Sequence, residues 1–438
     1  MIFKKNEKIT TIDNKTLYVK DLLGEGGQGE VYLVNYEGND YALKIYFDKP
    51  SNDFLYNLKN NISRGSPSES FLWPEVFINI NNEHYGYLMK LRSKNFNSFV
   101  SYLTGCKGFK DHYTMISWCI ELCLAFKKLH EKGFSYQDLN DGSFFFDETT
   151  GKLLVCDNDN VTADKKNLGI LGKMRYMAPE IVRRDLDDDG IQQMPDTHSD
   201  RFSLAVILFM TLCLGNPFEG ERLKKYDIVD EVSELEMYGT DPLFIYHKTD
   251  KSNRPIRGYH TSLINRWPKL PIYIKEAFHR TFVDGLKDRE NERTTELEWI
   301  KVLTKYRDEL ITCSCGRQYI CGFEEKELKD NCPYCNTVTK RYCILQVGKS
   351  KIALEPGKCL YKFHIDKYSS EYNKEVAIVI TNKNNPSFWG IKLDLEKEVL
   401  IKDTKNNTKT VANNGVIPIV NNLKIKFEEC VIGTINTN

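Results

Sequence analysis

Ser135-Tyr136-Gln137-Asp138-Leu139-Asn140-Asp141-Gly142-Ser143, followed by Val155-Cys156-Asp157-Asn158-Asp159, are the stretches whose reading decides this chain. Asp138 and Asp157 stand nineteen residues apart, each in a run of short polar residues. Alone, such runs are acidic turns between strands, because Gly, Asn and Asp tolerate the backbone conformations that turns demand. The segments on either side decide whether they are more than that.

Upstream, Gly24-x-Gly26-x-x-Gly29-x-Val31 lies between the apolar runs Leu17–Leu23 and Val31–Tyr36. Period-two apolar residues on both sides predict strands, with the glycines at a hairpin tip. Glycine there lets backbone amides approach an anionic ligand closely, and a strand rather than a helix follows, which argues against a dinucleotide fold. After a turn at Glu37-Gly38-Asn39-Asp40, Tyr41-Ala42-Leu43-Lys44-Ile45-Tyr46 predicts a third strand. Residues 54–62 predict a helix without an acid, and His84 to Arg92 predicts a further strand.

Ile116, Cys119, Ile120 and Cys123 recur at helical spacing, so the two cysteines read as core thiols, and Gly133 ends that helix. Downstream of the acidic stretches come Leu171-Gly172-Lys173-Met174-Arg175-Tyr176-Met177-Ala178-Pro179-Glu180, then Ser199-Asp200-Arg201-Phe202-Ser203-Leu204-Ala205, then Arg293. The apolar run 204–214 is too short to span a bilayer and reads as a buried helix.

Taken together, residues 15–310 resemble a eukaryotic-like protein kinase, of a divergent bacterial branch. The resemblance implies a bilobal fold, with residues 1–92 as the N-lobe and 93–310 as the C-lobe, binding ATP and Mg2+ (or Mn2+). It places Gly24, Gly26, Gly29, Val31, Ala42, Lys44 and Met89 around the nucleotide. It makes Asp138 the acceptor of the substrate hydroxyl proton and Asp157 the metal carboxylate. Lys44 would hold the α- and β-phosphates.

The supporting residues depart from the family. Gln137 replaces the arginine before Asp138, Asn140 the γ-phosphate lysine, Ser143 the second-metal asparagine, and Asn158-Asp159 the usual Phe-Gly. We expect Asp159 to supply the metal oxygen that Ser143 gives up, and Lys173 to reach the γ-phosphate in place of Asn140. Between Asp157 and Glu180 only Thr162 and Tyr176 carry hydroxyls, so a phosphorylation switch has little to act on. Asp200, Glu180 and Arg293 are read as scaffold. The expected activity is Ser/Thr protein phosphorylation; the alternative is a pseudokinase scaffold. The same branch resemblance implies a von Willebrand A-type protein and a metal-dependent phosphatase as partners.

Beyond residue 310 the pattern changes. Cys313-Ser314-Cys315 and Cys332-Pro333-Tyr334-Cys335 have the layout of a zinc ribbon over residues 311–340, with four thiolates closing a structural Zn2+ site and Cys321 as a substitute ligand. From 341 to 438 short alternating stretches, such as 359–365 and Leu423, Ile425, Phe427, predict a β-sandwich. It resembles a forkhead-associated domain, though that family's Arg and Ser-x-x-His constellation is missing. His364 is expected on a strand, facing solvent. The fold class is therefore multidomain α+β.

Bulk properties agree. A chain of 438 residues exceeds one core and implies roughly two to four domains. With 61 basic and 61 acidic residues there is no overall field for nucleic acid or anionic membrane. Residues 1–6 lack an apolar core for a secretory signal, and thirteen cysteines then suggest a reducing, cytoplasmic setting with metal ligands rather than disulfides.

Overall fold

The structure is a computed structural model that describes all residues except 167, 169–171, 188, 321, 324–330, 340–341, 429–430 and 438. Cys321 and Leu171 therefore lie outside the described residues. The chain divides into two compact units. The first comprises Met1–Gly108, Leu122–Trp267 and Glu276–Glu296; the second comprises Phe109–Glu121, Pro268–Lys275 and Leu297–Asn438.

In the first unit, a six-stranded antiparallel sheet carries strands Lys8–Thr10, Thr16–Glu25, Gly29–Tyr36, Asn39–Tyr46, His84–Lys90 and Val76–Ile80 in that spatial order. All three strands predicted around the glycines and Lys44 are present, in register Val31↔Lys44 and Lys44↔Tyr87. One face of the sheet buries Leu17, Val19, Val34, Leu43, Ile45 and Leu88. The other packs Ala42, Tyr46, Tyr87 and Met89 against Leu55 and Leu58 of helix Asn52–Arg64. Ser51 caps that helix by accepting from the Phe54 N–H, as Ser does at an N-cap. The helix is longer than residues 54–62 and its one acid, Asp53, is exposed in the first turn.

Gly29 has a packing reason to be glycine. A Cβ there would stand 2.0 Å from the Ile45 carbonyl oxygen, so any side chain would push the two strands apart. No such obstruction exists at Gly24. The rest of this unit is mainly helical. Helix Thr197–Cys213 is buried from Phe202 onward, as its apolar run requires, and a capping box at Asp196 and Ser199 starts it. Cys123 is a fully buried thiol.

In the second unit, two short strands, Leu310–Thr312 and Gln318–Ile320, pair next to the cysteine pairs. Two further sheets follow, one six-stranded and one four-stranded, all antiparallel. Leu345, Ile352 and Ile425 of the first share one core with Leu360, Val379, Ile391 and Ile417 of the second. That is two sheets facing each other. Leu423, Ile425 and Phe427 point inward as their alternation predicts. Cys119 is also a fully buried thiol.

The segment 359–365 departs from expectation. Only Cys359–Tyr361 is strand, and Lys362–Ile365 turns into a short helix. His364 is buried, not solvent-facing. Its Nε2 lies 3.0 Å from Asp308 Oδ2, and its Nδ1 accepts the Tyr361 N–H at 3.0 Å. The alternation of residue types was real, but a carboxylate partner for the imidazole made burial and a turn more favourable than continued strand.

Candidate active site

Three segments distant in sequence meet at Lys44. The strand Asn39–Tyr46 carries its amine inward, only 9% exposed, and Nζ lies 3.5 Å from Asp157 Oδ1. Asp157 follows strand Leu153–Val155 in the left-handed region, φ 54°, a conformation that Asp tolerates better than most residues. That turn leaves its carboxylate half exposed. Burial by the surrounding protein raises the Asp157 carboxyl above its ordinary range, with Asp159 and Asp138 adding to the rise and Lys44 opposing it. Asp138 therefore stands close enough for its charge to be felt at Asp157.

The loop bearing Asp138 is held from several directions. Tyr136 donates its backbone N–H to Asp200 Oδ2 at 2.8 Å, the scaffold role expected of Asp200. Asn140 Nδ2 donates to Asp138 Oδ1 at 2.9 Å, while its Oδ1 accepts the Gly142 N–H and caps a single helical turn. Asn140 thus orients the carboxylate beside it. Lys173, 59% exposed, pairs with Asp141 at 3.2 Å, on the same loop. Gln137 is buried and donates to Thr162 Oγ1 at 2.9 Å. Thr162 and Tyr176 are both buried, which seals the two hydroxyls of this segment.

Two expected metal ligands are buried. Asp159 is fully buried, and both its oxygens are taken. Lys44 Nζ lies 2.8 Å from Oδ2 and 3.1 Å from Oδ1, the Tyr46 hydroxyl 2.7 Å from Oδ2, and the Tyr87 hydroxyl 3.2 Å from Oδ1. Burial alone would raise this carboxyl; the Lys44 charge and these hydrogen bonds outweigh it and hold it below its ordinary value. A carboxylate with three donors making four hydrogen bonds and no solvent face is an ion-pair partner, not an open metal ligand. Ser143 is also buried, and its backbone carbonyl accepts the Cys156 N–H at 2.8 Å. The sequence showed that Asp159 is acidic but not that it points at Lys44.

Apolar groups line the neighbourhood of Lys44. Val31, Ala42 and Met89 lie in one cluster with Leu154 and Cys156, where the sequence places a flat ring. Gly24 and Gly26 lie on the exposed hairpin tip, with the Gly26 N–H donating to the Gly29 carbonyl at 2.9 Å. For a divalent cation, the donor set is one half-exposed carboxylate, Asp157, with Asp138 close by. That suits a hard cation such as magnesium, which takes one or two carboxylates and fills its remaining positions with water and phosphate.

Farther along, in the second unit, Cys313, Cys315, Cys332 and Cys335 gather with their sulfurs all within 4.8 Å of one another, a group able to hold a metal ion. The sulfurs of Cys313 and Cys335 are 3.6 Å apart and those of Cys315 and Cys332 4.0 Å. Thiolates at the usual zinc distance of about 2.3 Å sit about 3.8 Å apart along a tetrahedron edge. The one-residue spacing of the first pair does not prevent this convergence.

The scaffold pairs are also in place. Arg293 makes a two-pronged contact with Glu180, 2.7 Å at each prong, both residues buried. Among the described residues no helix is long and apolar enough to cross a membrane.

The family model described as "Protein kinase domain" matches residues 17–283, well over half the chain. The serine/threonine-protein kinase sck2 of Schizosaccharomyces pombe is 23% identical over 223 residues, covering 47% of this chain and 32% of its own length. The ribosomal protein S6 kinase alpha-6 of Danio rerio is 26% identical over 226 residues, covering 46% and 27%. This chain spans about a third or less of the length of these curated relatives. The autoinhibited serine kinase domain of the giant muscle protein titin superimposes with a TM-score of 0.48 at 15% identity, over 67% of this chain and 80% of that one.

Proposed function

This chain belongs to the protein kinase domain family, with additional C-terminal all-β sheets, and from that premise we propose that it transfers the γ-phosphate of ATP to a Ser/Thr hydroxyl of a protein. One observation carries the reading: Lys44 Nζ stands 3.5 Å from the half-exposed Asp157 carboxylate, and the loop bearing Asp138 is fastened beside it by the Tyr136 hydroxyl, which donates to the Asp157 carbonyl at 3.2 Å. In phosphoryl transfer, charge neutralisation and in-line positioning do most of the work, and these three side chains supply both.

We assign the roles as follows. Gly24, Gly26 and Gly29 bring the hairpin backbone over the phosphates, and Val31, Ala42 and Met89 face the base. Lys44 neutralises phosphate oxygens. Asp157 holds magnesium or manganese, which shields the developing charge when bound. Asp138 accepts the proton of the attacking hydroxyl, and Asn140 fixes its orientation. Lys173, already beside the loop through Asp141, is placed to swing towards the γ-phosphate.

For the rest of the chain, we read residues 1–92 and 93–310 as the two lobes, 311–340 as a zinc ribbon and 341–438 as a forkhead-associated-like sandwich. The four thiolates would hold a structural Zn2+. The sandwich would dock partners, with a von Willebrand A-type protein and a metal-dependent phosphatase as the expected ones, in a bacterial cytoplasm.

A second reading has one observation in its favour. With Ser143 buried and Asp159 saturated, Asp157 is the one of these three expected metal ligands left exposed, as suits a nucleotide-binding pseudokinase. Two measurements separate the readings. ATP with magnesium should raise the melting midpoint of the protein, and radiolabelled phosphate should transfer to a generic protein substrate. Asp138→Asn should keep the first and abolish the second. Binding without any transfer by the wild type would leave the scaffold reading.

A further inference from the structure

Helix Asn52–Arg64 lies where kinases carry the acid that pairs with the phosphate-binding lysine. Its one acid, Asp53, is exposed in the first turn. Its inward-facing polar residues are amides instead. Asn57 and Asn61, one turn apart on the same face, both donate their side-chain N–H groups to the Val161 carbonyl, at 2.8 and 2.7 Å. Trp73 Nε1 donates to the Asn61 carbonyl at 2.9 Å, which fixes the helix from a second side. The counter-ion of Lys44 sits elsewhere, two residues after Asp157, where Asp159 is gripped by Lys44, Tyr46 and Tyr87.

We propose that Asp159 is the positioning residue of Lys44: the counter-ion has moved from the helix to the metal-binding loop, so that no charge on the helix holds the lysine. The strand bearing Lys44, its neighbour bearing Tyr87 and the loop bearing Asp159 form one closed hydrogen-bonded set. The helix packs on Tyr46 and Tyr87 of this set through Leu55 and Leu58, and it is tied to the loop, two residues farther on, through neutral amides. A helix displacement would break the Asn57 and Asn61 contacts and loosen the packing on Tyr46 and Tyr87, but it would not remove the charge that aims Lys44. The loop itself sets both the metal carboxylate and the lysine, so the two charges that meet the triphosphate are spaced by one rigid turn, Asn158–Asn160. Asn158 anchors that turn, donating to the Leu72 and Val155 carbonyls at 2.9 Å each.

This rests on reading Lys44 as the phosphate ligand, so the test has one arm with nucleotide and one without. In the first, magnesium–ATP affinity is measured for Lys44→Ala, Asp159→Asn and the double variant. Each single change should weaken binding about tenfold, and the double should be no weaker than Lys44→Ala alone, because Asp159 acts through Lys44. Losses that multiply, or an Asp159→Asn defect repaired by raising magnesium or manganese, would mark Asp159 as an independent metal ligand and overturn the proposal. In the second arm, amide hydrogen exchange is followed in helix Asn52–Arg64 of the unliganded protein. The Lys44→Ala/Asp159→Asn variant, which removes both buried charges and so avoids stranding either, should keep wild-type protection there. Asn57→Ala/Asn61→Ala should lose it. Loss of helix protection in the charge-free variant would refute the separation. Should the wild type bind no nucleotide, the kinase reading falls, and the second arm still decides for or against this arrangement.

Discussion

Asp200 accepts the backbone N–H of Tyr136 through Oδ2 at 2.8 Å, across sixty-four residues of sequence. The same oxygen lies 3.0 Å from His130 Nε2, and His130 Nδ1 lies 2.9 Å from Glu296. A fully buried carboxylate thus ties the Asp138 loop to the helical core, with an imidazole between two acids behind it. Burial pushes the Asp200 carboxyl up to about 6, against the lowering effect of His130. Burial would lower His130, but its hydrogen bonds to Asp200 and Glu296 outweigh this and hold it at about 9.

The His130 shift has a definite sign in stability. Its folded value lies above its unfolded value of about 6.5, so protonation stabilises the fold fully below that pH and the contribution is lost as pH rises through about 9. The amount is on the order of 3 kcal/mol. The urea midpoint should therefore fall between neutral pH and pH 9. His130→Gln should flatten that slope; an unchanged slope in the variant would disprove the assignment.

Asn140→Ala should lower kcat by about tenfold to a hundredfold, the scale of one hydrogen bond to a charged group. The Asp138 carboxylate loses the donor at 2.9 Å that orients it, while nothing in the nucleotide-facing set changes. The affinity for magnesium–ATP should stay within a factor of about two. A change in affinity with kcat intact would reverse the roles given to the two ends of the site.

Glu180→Gln should destabilise the protein by about 3–5 kcal/mol, because it strands a buried guanidinium. Arg293 is 1% exposed and makes its two 2.7 Å contacts with that carboxylate, its other bonds going to the His198 and Gly285 carbonyls. Urea unfolding measures the loss. The paired change Glu180→Gln/Arg293→Met should recover part of it, since the buried Arg293 charge is then gone and Arg289, which also lies 3.3 Å from Glu180, keeps Asp196.

Elemental analysis of the purified protein should find one zinc per chain. Cobalt substituted at the same thiolates should give the strong visible absorption of a tetrahedral sulfur site. Cys335→Ser should lower zinc content and loosen the strands next to the cysteine pairs, seen as faster amide exchange over Leu310–Thr312 and Gln318–Ile320. Protein that is metal-free and equally protected would show that the four sulfurs gather for packing alone.

Residue order alone determined the strands around Gly24 to Gly29 and Lys44, the buried helix after Asp200 and the four gathered cysteines. Each rests on short-range periodicity or on a residue type with few alternatives: glycine where strands crowd, apolar runs that must be buried, thiols in close pairs. Tertiary structure alone decided which partner each polar group takes. Asp159 reads in sequence as one more acid beside a metal ligand, and only the fold closes Lys44, Tyr46 and Tyr87 around it. His364 reads as a strand residue, and only the approach of Asp308 makes its burial favourable. The direction of a buried charge is set by where its counter-charge arrives, and that arrival depends on chain segments more than a hundred residues away, as Lys44 and Asp159 are.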